Sequence, residues 1–214
     1  MKPNQKILLL SSVGVLPFTL IIFQVIPGLL GVKFGYLLGF VCYWLYSASF
    51  ILIQLRNQPS FLASILRDDE KSKVSILYKL AAFLPVLGVF FITFLPNVPN
   101  LSVQTGFLVL IVAGLNGFIE ELYWRGLYLR NFKDSWLYGC FLSTILFGAW
   151  HFSLWFIRGM EYHGGWPALV GGAFTMGLLW SVISRKINSV RIGIIAHVMV
   201  NVFAFTGLFV ENGF

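Results

Sequence analysis

Apolar residues in this chain come in long blocks instead of alternating with polar ones. Stretches without a single Asp, Glu, Lys or Arg cover residues 7–32, 34–55, 80–100, 101–119, 135–157, 166–184 and 192–210. Each is near the roughly 20 residues that a helix needs to cross a bilayer, so the pattern predicts seven spanning helices. The third and fourth blocks are continuous in charge terms, and the turn Pro96-Asn97-Val98-Pro99-Asn100 is expected to separate them. The first block follows Lys2 and Lys6 and superficially resembles a signal peptide. It is longer than the roughly 7–15 residues of a signal-peptide core and carries no small-residue cleavage site, so it reads as a retained helix.

Composition fixes the class: 58% of residues are hydrophobic and 11% charged, with a mean hydropathy of +0.84, far from the mix of a soluble domain. The expected fold is an all-α polytopic transmembrane bundle. Its net charge of +7 raises the question of a nucleic-acid partner, which the distribution of charge answers. With a cytoplasmic N-terminus, Lys2, Lys6, Arg56, Arg67, Lys71, Lys73, Lys79, Arg125, Arg130, Lys133, Arg185, Lys186 and Arg191 fall inside, leaving Lys33 and Arg158 outside. That positive-inside bias orients the chain and accounts for its basicity without nucleic acid. Cys42 and Cys140 lie within predicted helices, where a thiol packs as a small apolar group.

Residues 1–100 are read as helices one to three with a cytoplasmic loop at 57–73, and residues 101–214 as a core of helices four to seven, together one integral membrane unit. In the loop, Ser60 caps a short stretch, Phe61-Leu62-Ala63-Ser64-Ile65-Leu66, that is either an interfacial helix or a solvated linker. The charged Arg67-Asp68-Asp69-Glu70-Lys71-Ser72-Lys73 follows. No acidic residue occurs in helices one to three, so the chemistry is expected between 101 and 210. Gly171, Gly172 and Gly177 suit close helix approach, and most Phe, Trp and Tyr are expected to face lipid or form interfacial belts.

Against this background the stretch "GFIEELYWRG" at 117–126 stands out, because charges within a bilayer are costly and mark function or an ion cluster. If the helix continues to Arg130, Glu120 lies about 15 Å above its end. Glu121 and Arg125 are spaced i, i+4 with the acid first, which suits an ion pair. Glu120, about 100° round the helix, lacks that partner, and Asn116 one turn earlier is placed to hydrogen-bond it. An otherwise unpaired carboxylate in apolar surroundings suits a general base. Helix five adds Phe147 and His151; helix seven adds His197 and, one turn on, Asn201. His163 in the outer loop reads as a surface residue. Straight helices put Glu120, His151 and His197 at roughly 20, 27 and 13 Å depth, so tilt, a helix break or a wet cavity has to bring them together.

One base, two histidines and an amide fit peptide hydrolysis: Glu120 takes a proton from water, His151 holds that water, and His197 and Asn201 point donors at the oxyanion. The sequence has no Gly-x-Ser-Gly, no Gly-x-Gly-Asp and no His-Glu-x-x-His of other intramembrane proteases. Glu120-Glu121-x-x-x-Arg125, Phe147-x-x-x-His151 and His197-x-x-x-Asn201, with "EELYWRGLYLR", "ILFGAWH" and "SVRIGIIAHVMVN", resemble the CPBP family of CAAX prenyl proteases and bacteriocin-processing (Abi) proteins. The resemblance covers about residues 101–205.

It implies a glutamic intramembrane endopeptidase with no cofactor or metal. Its catalytic residues would be Glu120, His151, His197 and Asn201, supported by Glu121, Arg125, Asn116 and Phe147. The implied substrate is a membrane-associated, prenylated or otherwise lipidated protein or hydrophobic peptide, met in a prokaryotic cytoplasmic membrane through a cavity opening to the cytoplasmic leaflet. Two alternatives stay open: a noncatalytic immunity or transport protein, and a metal-dependent hydrolase using Glu120, Glu121, His151 and His197.

Overall fold

A segment in hydrocarbon has to satisfy its backbone internally, and the computed structural model, which describes residues 1–67 and 76–214, is built of helices. In chain order these are α1 (Pro3–Leu30), α2 (Val32–Asn57), the short α3 (Phe61–Leu66), α4 (Ile76–Asn100), α5 (Val103–Asn131), α6 (Leu137–Trp155), α7 (Pro167–Ile187) and α8 (Arg191–Glu211). Among the described residues, seven of them, all except α3, are long and apolar enough to span a membrane. The protein is an all-α, multi-pass integral membrane protein.

The boundaries follow local chemistry. α1 turns into α2 at Gly31, whose φ of 83° is a conformation open mainly to glycine. The break expected at 96–100 comes slightly later: α4 passes through Pro96, tightens into a 3₁₀ turn over Val98–Asn100 and stops. Ser102 then caps α5 by accepting the Thr105 N–H at 3.0 Å. α5 continues past Arg125 to Asn131, as its apolar residues predict, but Glu121–Gly126 is wound as a π-helix. Further π-helical segments lie at Phe90–Phe94, Leu137–Leu142 and Pro167–Gly171.

α5 and α8 pack along each other at the centre, α1 pairs with α2, α7 lies on α6, and α4 lies on α8. The α4 contact is aromatic, with Phe90 and Phe94 at 5.2 and 4.7 Å ring separation from Phe203. Trp180 of α7 donates to the Ala82 carbonyl at 3.0 Å, where α4 is interrupted by a turn. α4 is the most peripheral spanning helix, showing Leu84, Leu87, Phe91, Ile92 and Leu95 outward, a face at home only against lipid.

Two sequence expectations need correction. The aromatics are not mainly a lipid-facing set: Trp124, Trp150, Trp180, Tyr36, Tyr43, Tyr123 and Tyr128 are among the largest fully buried side chains. Helix α3 forms where expected, but Ser60 makes no side-chain cap and Phe61 and Ile65 are buried. The Ile65 carbonyl accepts the Val190 N–H at 2.8 Å, so α3 closes the end of the bundle beneath the α7–α8 turn instead of lying in the interface. The charged residues Asp68 to Lys73 lie outside the described residues. Of the three glycines expected at helix contacts, Gly177 fits closely against Phe147 and Arg125, whereas Gly171 faces open space.

Candidate active site

Glu120 sits at the end of the regular part of α5, fully buried. Its Oε2 accepts from Asn116 Nδ2 at 2.8 Å, the one-turn partner that the spacing predicts, and lies 3.3 Å from His197 Nε2. Its Oε1 accepts the Tyr43 hydroxyl at 2.9 Å. Tyr43 belongs to α2, so the expectation that all chemistry lies between 101 and 210 misses one donor. Tyr43 in turn accepts from Trp124 Nε1 at 2.8 Å, and Trp44, its neighbour, donates to Asn116 Oδ1 at 3.0 Å. Two short chains of donors therefore converge on one carboxylate, and charge-assisted bonds of this kind are stronger than neutral ones. Nothing in the pattern of α2 singled out Tyr43 and Trp44 from its other aromatics.

Glu121 and Arg125 pair as expected, with Arg125 Nη1 3.2 Å from Glu121 Oε1. Both are buried, so Arg125 is not one of the cytoplasmic surface charges among which it was counted. Instead of snorkelling it lies over the Phe147 ring, 4.0 Å from the centroid, with Trp180 also nearby at 5.9 Å. Glu121 Oε1 is also 3.0 Å from His197 Nδ1. His197 thus spans the two glutamates, one on each ring nitrogen. Phe147 is the hub beneath, edge-on to His151 and His197 at 4.8 and 6.0 Å.

The approach of α8 to α5 depends on Gly117. A Cβ there would stand 2.9 Å from Val198 N and 3.1 Å from its Cα, and small residues allow such backbone contact between membrane helices. His197, the next residue along α8, is thereby brought to Glu120.

His151 ends the regular turn of α6, which breaks at that residue before Phe152–Trp155. Its Nδ1 is 2.8 Å from the Phe147 carbonyl; since a carbonyl only accepts, Nδ1 carries the proton and Nε2 of the neutral ring is left as an acceptor. Asn201 is 8% exposed and its Nδ2 has no hydrogen-bond partner.

Glu120, His151, His197, Asn201, Asn116 and Phe147 all line one cavity of about 200 Å³, so the separations from straight helices do not survive folding. The remaining wall is mostly apolar, from α2, α4, α7 and α8. Tyr162 and His163 of the α6–α7 loop also line it. His163 is indeed exposed, yet it stands at the cavity edge and lies 3.3 Å from Glu211. Burial pushes the Tyr162 phenol well above its ordinary range, so it stays neutral, donating to the Leu154 carbonyl at 2.9 Å. Among the described residues no group of three His, Cys, Asp or Glu side chains is arranged to hold a metal ion.

Fold and site together define a helical membrane protein with a carboxylate, two imidazoles and a free amide donor around a cavity enclosed by its spanning helices. Residues 102–203 match the family model "Rce1-like", described as type II CAAX prenyl endopeptidase Rce1-like. This stretch, which contains Asn116, Glu120, Glu121, Arg125, Phe147, His151, His197 and Asn201, is similar to that family of CAAX prenyl endopeptidases. No curated protein and no solved structure matches the chain.

Proposed function

We propose that the protein is an intramembrane endopeptidase that hydrolyses a peptide bond with water activated by Glu120. The observation that carries this is a fully buried carboxylate, held by donors from three sides, facing a cavity shared with His151 and Asn201. A carboxylate has about four acceptor positions and three are used, which leaves one for water. In this scheme His151, through the free Nε2, holds the same water, and the proton passes to Glu120 as the water oxygen attacks the carbonyl. The unpartnered Asn201 amide donates to the oxyanion of the tetrahedral intermediate. His197 Nε2–H, which lies against Oε2 and is weakened in its hold on Glu120 once the carboxylate is neutralised by the proton taken up at Oε1, joins it. The proton then goes to the leaving amine. Glu121 and Arg125 fix the His197 ring from below.

The substrate is a membrane-associated polypeptide, and the family points to a prenylated one. A multi-pass protease of a prokaryotic cytoplasmic membrane is the setting we infer. Purified protein is expected to cleave a quenched farnesylated CaaX peptide or a quenched hydrophobic peptide, and Glu120→Gln, which keeps shape and removes the base, to abolish cleavage. Full activity of that variant refutes the mechanism. Activity that disappears on exhaustive chelation and returns with Zn²⁺ refutes the metal-independent form of it. A noncatalytic immunity or transport role predicts instead that the biological effect survives Glu120→Gln in a normally folded protein.

A further inference from the structure

A second, smaller cavity lies away from the catalytic one and shares no lining residue with it. It sits where α1 begins and α2 and α5 end, and four amide side chains line it: Asn4, Gln54, Asn57 and Asn131. The ends of spanning helices mark the boundary between hydrocarbon and headgroups, so this cavity stands at the membrane surface. Its volume is about 30 Å³, room for one or two water-sized groups. A ligand there inserts one polar group and keeps the rest outside.

The polar wall has an unmet need. Gln54 is 6% exposed; its Oε1 accepts from Asn131 Nδ2 at 3.5 Å, while its Nε2 is buried without a hydrogen-bond partner. An amide nitrogen only donates and a buried donor left unpaired is costly, so the missing group is an acceptor. Asn131 Nδ2 is already committed to the Leu127 carbonyl at 2.9 Å, but Asn4 and Asn57 bring further amide N–H groups, and Asn57 is exposed. The positive end of the α1 dipole adds to them, since that helix starts at Pro3. Lys2, Lys6, Arg56 and Arg130 are exposed, and each stands within two residues along the chain of a lining residue, whereas no Asp or Glu does. Donors and positive charge together select an anionic oxygen group.

The other wall is apolar. Ile7 and Ile53 are exposed and Phe50 is half-buried. Phe50 stands seven residues inward of Asn57 along α2, a rise of about 10 Å. A hydrocarbon strip therefore runs from the amides toward the bilayer interior, which an acyl chain would cover and a free inorganic anion would not.

We infer that this cavity binds the phosphodiester of an anionic membrane lipid, with a phosphate oxygen accepting from Gln54 Nε2 and an acyl chain lying along Ile7, Phe50 and Ile53. The bound lipid bridges α1, α2 and α5, and α2 and α5 are the helices that bring Tyr43 to Glu120. This does not rest on the endopeptidase reading. In the test, the purified full chain in detergent is titrated with phosphatidylglycerol, phosphatidylcholine or inorganic phosphate, lipid binding being read by native mass spectrometry and stabilisation by thermal unfolding. Phosphatidylglycerol is expected to bind the wild type at least about 10-fold more tightly than Gln54→Leu, as the loss of a bond to a charged group implies. The same loss is expected in the double variant Asn4→Ala/Asn57→Ala, which alters the cavity mouth and carries the test if Gln54→Leu does not fold. Phosphatidylcholine, whose headgroup has no net charge, should bind the wild type more weakly than phosphatidylglycerol, and inorganic phosphate should leave the unfolding temperature unchanged. Equal phosphatidylglycerol affinity in the wild type and the folded variants overturns the site. Equal affinity for the two lipids overturns the selection by charge, and an inorganic phosphate shift as large as that of phosphatidylglycerol overturns the lipid as occupant.

Discussion

The contact at Gly117 lets the geometry of catalysis be perturbed without touching a catalytic group. In Gly117→Ala the new Cβ would lie 2.9 Å from the Val198 nitrogen, and ordinary contact begins at 3.4 Å. Backbone cannot swing aside like a side-chain tip, so α8 must retreat by about the difference, roughly 0.5 Å, at a typical overpacking cost of about 1–3 kcal/mol. His197 Nε2 is already 3.3 Å from Glu120; a further half ångström takes it beyond hydrogen-bond distance. Since misplacement by about 1 Å can cost about 100-fold in rate, a loss of kcat of about 10-fold or more is expected. The control is Gly114→Ala on the same helix, where an added Cβ meets nothing within 4 Å. It should leave kcat unchanged and stabilise the helix by up to about 1 kcal/mol. Both variants are to be compared by peptide cleavage per folded molecule, with thermal unfolding in detergent measured alongside. Equal kcat in the two, or a loss in Gly117→Ala that vanishes on correction for folded protein, refutes the proposed coupling between helix approach and catalysis.

Tyr43→Phe keeps the ring stacked on Trp150 at 4.4 Å and removes the donor to Glu120; a bond to a charged group contributes about 1.5–3 kcal/mol, so kcat should fall about 10-fold or more with KM little changed, and an unchanged kcat removes Tyr43 from the mechanism. Asn201→Ala should lower kcat about 100-fold, as loss of an oxyanion donor does; a rise in KM alone would assign Asn201 to substrate binding instead. Arg125→Ala leaves Glu121 buried beside Glu120 without its cation, and the cost of about 3–5 kcal/mol should appear as lower yield and lower thermal stability. An Arg125→Ala protein as stable as the wild type would mean that His197 alone compensates Glu121.

Much of the fold was legible because bilayer thickness imposes a length on apolar blocks, and all seven spans were found from it. The Glu121–Arg125 pair and the Asn116–Glu120 bond were legible for a similar reason: both are contacts within one helix, and spacing alone fixes which residues face each other. Tyr43 and Trp44 were not. Each is an aromatic among aromatics in α2, and its hydroxyl or indole N–H acquires meaning only when α2 meets α5. The position of α3 was half legible: its apolar residues predicted a helix, but which surface received them depended on the α7–α8 turn, through the bond from Val190 to Ile65.

Depth was the point at which straight-helix reasoning failed, and the failure is local. The estimates separating Glu120 from His197 by about 7 Å assumed one uniform rise per residue, yet the two side chains lie 3.3 Å apart. The residues immediately after Glu120, Glu121–Gly126, form a π-helix, whose wider turn carries more residues for the same length and so brings Glu120 nearer the end of α5. α6 begins with another π-helical segment and breaks at His151. Such departures tend to occur at functional sites, where regular geometry yields to the placement of particular groups. Here they bring together the very residues that periodicity had separated, so a variant of Glu121–Gly126 that restored regular α-helical winding would be expected to separate Glu120 from His197 while leaving the seven spans intact.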